Sequence, residues 1–321
     1  MEVNVEISNL FKRFNGSLVV TVTGPTRTGK SLFITNVLKT FVLPNVEETE
    51  NVEINFPVSE SGREISTKKT TIIPLEKIRI NIGTGSKYMQ FIDCIGYKAH
   101  GVKGFHTKTG PLKLQLEGYK NPIHFKEAIS IQTREIAKNI SDVTIIVTTD
   151  GTIDCLPSYA FIDAEMNIVE DLDLQRPKVM ILNSTIPEAE NTITLAKSLE
   201  MKYKLPVIPL SIAEITEENV QSIFNKLYEE LPLFEVNVNI SEWIIKLETD
   251  HFLRNKIEGA VRSIMKDLTN IGKIDSCLEK FKDYDFIQGV TLTEFDSVTG
   301  ILNINLLESE EIRTKFANFV K

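Results

Sequence analysis

The chain has 321 residues, 42% of them apolar, which suits one large domain or two ordinary ones with well-buried cores. Its net charge is −8 and no long basic stripe occurs, so sequence-independent nucleic-acid binding is disfavoured, since neutralising phosphates needs clustered Lys and Arg. Three widely spaced cysteines (Cys94, Cys155, Cys277) argue for reduced thiols and against a disulfide framework or zinc site. The four histidines show no metal-ligand spacing, and no leader or membrane-length apolar run is found, which points to the cytoplasm.

In chain order, Ile7, Leu10, Phe11 and Phe14 set an amphipathic helix over residues 1–16. An apolar run, Leu18 to Val22, then leads into Gly24-Pro25-Thr26-Arg27-Thr28-Gly29-Lys30-Ser31 and the apolar helix that follows. That is a strand, a glycine loop and a helix. The pattern is a P-loop, in which glycines let backbone approach phosphate and inward N–H groups cradle it. Lys30 is expected on the β and γ phosphates, and the Ser31 hydroxyl on Mg²⁺. After Leu43-Pro44, the acidic stretch from Glu47 to Glu60 reads as an exposed excursion ending near Ser66.

Ile78, Ile80 and Ile82 alternate with polar residues, Gly83 to Ser86 turns the chain, and Tyr88 to Ile92 returns as the second strand of a hairpin. Asp93 closes that strand in Asp93-Cys94-Ile95-Gly96, where a carboxylate beside a P-loop can hold the Mg²⁺ shell and Gly96 can offer its N–H to the γ-phosphate. Between the two motifs stand Thr70 and Thr71, candidates for a threonine that closes over Mg²⁺ and phosphate, or two β-formers opening a strand. Residues 97–124 form a long Gly- and Lys-rich loop whose His100, His106 and His124 are expected to be solvated.

From Phe125 the pattern alternates: helix to Ile140, strand Val143 to Val147, helix Tyr159 to Leu172, strand Val179 to Leu182, helix Glu188 to Lys204, strand Val207 to Leu210, helix Glu217 to Glu230. This predicts an α/β fold, a P-loop NTPase domain with a mostly parallel sheet, whose site lies at the strands' carboxyl ends. Two such ends matter, at Asn183 and at Ser211. Switch-class GTPases read guanine at the first with Asn-Lys-x-Asp; here Asn183 remains, while Ser184 and Ile186 replace the lysine and the aspartate. Ile186 cannot accept from guanine, so adenine is the expected base and ATP the expected nucleotide. Thr148 to Thr152 follows a central strand, where Asp150 is either near the nucleotide or part of a capped turn.

Beyond Leu231-Pro232 the expected elements are a strand Phe234 to Val238, one long helix from Ser241 to Leu268, a short helix ending at Phe281, strands Phe286 to Leu292 and Gly300 to Leu307, and a helix Glu308 to Val320. The expected domains are 1–234, the NTPase, and 235–321, a small α+β unit without a catalytic constellation.

Arg27-Thr28-Gly29-Lys30-Ser31, Val42-Leu43-Pro44-Asn45, Asp93-Cys94-Ile95-Gly96-Tyr97, Thr148-Thr149-Asp150-Gly151-Thr152-Ile153 and Phe234-Glu235-Val236-Asn237-Val238-Asn239 carry a family resemblance. The chain resembles the stage IV sporulation protein A family, coat morphogenetic ATPases of spore-forming bacteria, over nearly its whole length. The resemblance implies an Mg²⁺-dependent ATPase of the translation-factor-like GTPase class that assembles into a static polymer on the forespore's outer membrane, within the mother-cell cytoplasm. It makes Lys30 the Walker A lysine, Asp93 the Walker B aspartate, and Thr70 or Thr71 the sensor. The implied partners are further copies of itself, a small amphipathic membrane-anchoring peptide and other spore coat proteins. The family carries a further C-terminal region for assembly and anchoring, and this chain stops at Lys321. Rival expectations are a scaffold holding nucleotide with negligible turnover, and a GTP-dependent switch. Tyr97 stands where switch GTPases commonly place a water-orienting Gln, so turnover is expected to be slow.

Overall fold

The computed structural model describes residues 5–47, 54–57, 69–83, 85–108, 110–153, 156–172 and 175–316. Most of the acidic excursion, the run Ser66 to Lys68 and Cys155 therefore lie outside the described residues. The chain divides into two compact units, Met1–Leu227 and Tyr228–Lys321.

The first unit is built on a six-stranded sheet. Its strands are β1 (Ser17–Thr23), β2 (Thr71–Asn81), β3 (Ser86–Asp93), β4 (Val143–Thr149), β5 (Lys178–Asn183) and β6 (Val207–Leu210), in the spatial order β6-β5-β4-β1-β3-β2. Five run parallel, and β2 joins β3 antiparallel as the edge, so the hairpin read from Ile78 to Ile92 exists but begins earlier, at Thr71. Helices on both faces explain why β4 is buried at all seven positions: a sheet covered twice needs apolar residues without alternation.

The helices follow the predicted periodicities: α1 (Val5–Arg13), α2 (Lys30–Val37), α3 (Phe125–Asn139), α4 (Ile162–Asp171), α5 (Glu190–Tyr203) and α6 (Glu217–Glu229). α1 buries Ile7, Leu10 and Phe11, one stripe at helical spacing. α3, α4 and α5 set Ile129, Ile168 and Leu199 in one cluster with Ile146, Met180 and Leu182 from the sheet. Each large side chain so enclosed contributes about 1.5–3 kcal/mol relative to exposure. The loop of residues 97–124 carries two short ladders, His106–Thr107 with Gly110–Pro111 and Lys113–Leu114 with Ile123–His124.

The second unit has a three-stranded sheet of β7 (Glu235–Asn239), β8 (Ile287–Asp296) and β9 (Ile301–Glu308), ordered β7-β9-β8, with β7 parallel and β8 antiparallel to the central strand. Across its exposed face Asn237 donates to Asn303 at 2.9 Å, Asn303 to Glu294 at 2.8 Å, and Asn239 to Asn305 at 2.9 Å. The core gathers Trp243, Ile257, Phe281, Leu302 and Ile304.

The long helix expected from Ser241 to Leu268 is two: α7 (Glu242–Ile245) and α8 (Phe252–Met265). The apolar stripe runs through both, so periodicity alone conceals the break. Capping produces it. The His251 ring accepts from Leu253 N–H at 3.3 Å, starting α8, and Arg254 Nη1 donates to the Ile245 and Leu247 carbonyls at 3.1 and 2.9 Å. α9 (Ile274–Glu279) and α10 (Glu310–Lys315) complete the unit; the predicted tail of the last helix, from 317, lies outside the described residues.

Candidate functional site

β1 ends against the loop of residues 24–29, and α2 starts at Lys30, so the strand-loop-helix order read from the sequence stands at the carboxyl edge of the sheet. Gly24 admits no side chain: a Cβ there would lie 2.1 Å from the Val147 carbonyl oxygen. Arg27 (φ 70°) and Gly29 (φ 96°) take left-handed conformations that curl the loop back on itself. The Pro25 carbonyl accepts from Lys30 Nζ at 2.6 Å and from the Thr28 hydroxyl at 3.0 Å, and the Thr26 hydroxyl is buried without a partner.

Asp93 ends β3 beside this loop. The Ser31 hydroxyl donates to Asp93 Oδ2 at 2.6 Å, while Asp93 Oδ1 is buried with no partner. Burial raises the Asp93 carboxyl above its usual range, with the Ser31 bond and the Lys30 charge pulling it back. Burial likewise lowers Lys30 to about 8, with Asp93 and Cys94 opposing. Both charges are therefore desolvated, and each lacks full compensation from the other. An anion placed beside Lys30 and a cation placed beside Asp93 would each supply the opposite charge that burial has taken from these groups, which suits a polyanion taken up together with a divalent cation.

Gly96 is pressed into the loop: a Cβ would meet Lys30 Nζ at 2.7 Å and Thr26 Cα at 2.8 Å. The next residue pairs with the loop in both directions. Thr26 N–H donates to the Tyr97 carbonyl at 2.8 Å, and Tyr97 N–H to the Gly24 carbonyl at 3.1 Å. The Tyr97 hydroxyl donates to Asp171 Oδ2 at 2.8 Å, and Arg134 holds Asp171 Oδ1 at 2.7 Å. Burial pushes the Tyr97 phenol up, so it stays protonated and keeps donating. No motif signals this anchor, because its members lie 37 and 74 residues apart along the chain.

Asn183, at the end of β5, is buried and used at both ends: Nδ2 donates to the Thr28 carbonyl at 3.0 Å and Oδ1 accepts from Ile212 N–H at 3.1 Å. It ties the glycine loop to the segment after β6, where Ser211 stands. Asn36 of α2 adds a second tie, donating to the Ile212 carbonyl at 2.8 Å. Ile186 is 62% exposed. Asp150 accepts from Thr152 N–H at 2.9 Å, the Thr152 hydroxyl at 2.6 Å and the Thr192 hydroxyl at 3.1 Å, and Thr185 N–H donates to the same Thr152 hydroxyl at 2.9 Å. Burial raises the Asp150 carboxyl, but donors including Ser184 outweigh it and hold the group below its usual range. Asp150 is thus a turn cap that also shapes the loop after Asn183.

The structure brings together Gly24, Lys30, Ser31, Asp93, Gly96 and Asn183, with Ser211 alongside. It does not turn the two threonines inward. Thr71 pairs across the sheet with Asp93, but its hydroxyl faces the Lys69 carbonyl at 3.4 Å, and the Thr70 hydroxyl donates to Gln132 of α3 at 2.9 Å. His100 is exposed and pairs with Asp163 at 3.2 Å. Among the described residues no cluster of His, Cys, Asp and Glu forms a protein-only metal cage. The Ser31 hydroxyl and the half-satisfied Asp93 carboxylate are hard oxygen ligands, and they fit Mg²⁺ completed by phosphates and water.

Comparison with known proteins also divides the chain in two, at residues 232 and 233, a few residues beyond the boundary between the compact units. The family model for stage IV sporulation protein A, ATPase domain, matches residues 1–232, and the model for its middle domain matches residues 233–318. Proteins named stage IV sporulation protein A from Bacillus anthracis and Bacillus subtilis (strain 168) are 32% and 29% identical over 95% of this chain. The one from Clostridioides difficile (strain 630) is 27% identical. The chain spans 63% of the length of each of these relatives. Among solved structures, the G domain of the T. maritima FeoB iron transporter aligns at a TM-score of 0.34 and 12% identity, covering 67% of this chain and 98% of that one.

Proposed function

The chain belongs to the stage IV sporulation protein A family, and on that premise we propose that it binds ATP with Mg²⁺ and hydrolyses it slowly. Turnover drives assembly of its own copies into the basement layer of the spore coat. The observation that carries the reading is the group of Lys30, Ser31 and Asp93: a desolvated cation, a hydroxyl and a carboxylate with one buried oxygen unpartnered.

In this reading the backbone of Gly24, Pro25, Thr26, Arg27, Thr28 and Gly29 cradles the phosphates, and Lys30 pairs with the β and γ groups. Ser31 and Asp93 hold Mg²⁺, which when bound neutralises charge developing on the phosphates. Gly96 would offer its N–H to the γ-phosphate. Thr70 or Thr71 turns in from its present partner to complete the shell, and Asn183 and Ser211 border the base. Further partners are the amphipathic anchoring peptide and other coat proteins, at the forespore's outer surface in the mother cell. No helix among the described residues is long and apolar enough to cross a membrane.

One observation favours a second reading, nucleotide as a structural cofactor with negligible turnover. Tyr97 stands where a water-orienting amide is expected, and its hydroxyl is held by Asp171. Phosphate release from ATP and GTP, measured with sedimentation on the same samples, tests both. Release that vanishes in Lys30→Ala supports the ATPase; assembly on ATP without release sinks it in favour of the scaffold.

A further inference from the structure

Charge is divided unevenly along this chain. Residues 97–126 hold six Lys and three His against one Glu, although the whole protein carries −8. Residues 228–321 hold seventeen Asp and Glu against eleven Lys and Arg, so most of the net negative charge is in the second unit. The basic segment is also concave. Together with Asp163, Ala164 and Asn167 of α4 it walls a cavity of about 580 Å³, with a floor of buried Ala99, Val102 and Phe105 and a rim on which exposed Lys98, Lys103 and Lys126 outnumber the one carboxylate, Asp163. Lys98 Nζ lies 5.2 Å from the centre of the Phe105 ring, and His100 is engaged by Asp163.

An apolar floor inside a mainly cationic rim fits an apolar side chain flanked by carboxylates. The second unit presents such a surface. Between residues 242 and 252, Glu242, Glu248 and Asp250 are exposed, as are Ile245 and Phe252 at 56% and 58%, and the one cation in that stretch, Lys246, pairs with Glu242 at 3.4 Å. A nucleic-acid backbone is the poorer occupant, since it has carboxylate-like charge but no apolar side chain to set on Val102 and Phe105.

We propose that the cavity walled by residues 97–106 and Lys126 receives the acidic α7 face of a second copy of this chain. The proposal rests on the assembly reading above and names its contact. Two different patches meet, so every copy offers one of each, and a head-to-tail repeat of this contact builds a ring or a filament. Tyr97 lines the cavity and also pairs with Gly24 and Thr26 of the glycine loop, so occupancy of the cavity and of the nucleotide site share one residue.

A charge swap in the whole chain tests this. One variant is K98E/K103E/K126E, the other E242K/E248K/D250K; circular dichroism and ATP calorimetry confirm that each is folded. With ATP and Mg²⁺, each variant alone should lose sedimentable assembly by at least about fivefold, because its two patches now repel. An equal mixture should regain assembly, because the two chains then alternate with opposite charges at every contact. The parent's assembly should also weaken as salt shortens the range of the attraction. A parent that stays monomeric overturns both the assembly reading and this contact. A parent that assembles while the lysine variant assembles equally well overturns the contact alone, as does a mixture that restores nothing. If the lysine variant assembles normally but loses flotation with phosphatidylglycerol vesicles that the parent binds, the basic face serves lipid and the proposal falls.

Discussion

On the proposed phosphate side of the site, Ser31 bonds to Asp93, and Gly96 is packed so closely on Lys30 and Thr26 that a Cβ would collide with both. On the proposed base side, Asn183 spends both ends of its side chain on backbone, and Ile186 points no acceptor toward any ligand. The difference separates two kinds of recognition. Phosphate is read by backbone and one cation in a fixed geometry, whereas a base is read by side chains that must be left unspent. A site finished on one side and loosely furnished on the other should hold nucleotides chiefly by their phosphates.

The largest test of that contrast is Lys30→Ala, which should reduce ATP affinity by at least about 100-fold in calorimetry. It also removes a desolvated charge, so the melting temperature should not fall. The parent should show a milder version with pH: Lys30 carries its proton below about 8, so affinity is level there and falls as pH rises above it. Affinity unchanged up to pH 9.5, an arbitrary test point about 1.5 units higher, would remove Lys30 from the contact.

Gly96→Ala comes next. Its methyl group meets Lys30 Nζ and the Thr26 backbone, and the backbone cannot yield, so kcat should drop by about 10–100-fold with a smaller loss of binding. An active alanine variant would show that the Gly96 segment swings clear during turnover. Changing Thr70 and Thr71 together to Ala should leave ATP bound and slow phosphate release by about tenfold. Release at the parental rate would make them strand residues, as their present hydrogen bonds to Gln132 and Lys69 portray them.

On the base side effects should be small. Asn183→Ala loosens the tie between Thr28 and Ile212 and should weaken ATP and GTP alike, by less than about tenfold; a changed ATP-to-GTP ratio would mean that Asn183 reads the base itself. Smallest of all is the discrimination in the parent. ATP should be favoured over GTP by no more than about tenfold in competition, and a strong preference for GTP would break the contrast.

The phosphate side was legible because its determinants are local: Gly24 to Ser31 is one unbroken window, and Asp93 to Gly96 another. The sheet was legible because unbroken apolar runs such as Val143 to Val147 suit a doubly covered strand. Side-chain ties between distant positions were not legible. Nothing in the sequence joins Tyr97 to Asp171 and Arg134, since a lone Tyr, Asp and Arg carry no spacing rule. The helix break after Ile245 was hidden for a related reason: Arg254 and His251 cap ends that an apolar stripe runs straight through.

The sheet of the second unit also sets a timetable for the ribosome. β7 pairs in parallel with β9, Glu235 opposite Ile301, so an early strand waits for a late one while the helical segment between them emerges. High contact order of this kind slows folding, and until residue 305 has left the exit tunnel Val236 and Val238 have no central strand to lean on. A nascent chain stalled before β9 exposes that apolar face. Synthesis rate through residues 240–300 should therefore govern how much of this protein reaches the cell folded rather than in chaperone hands.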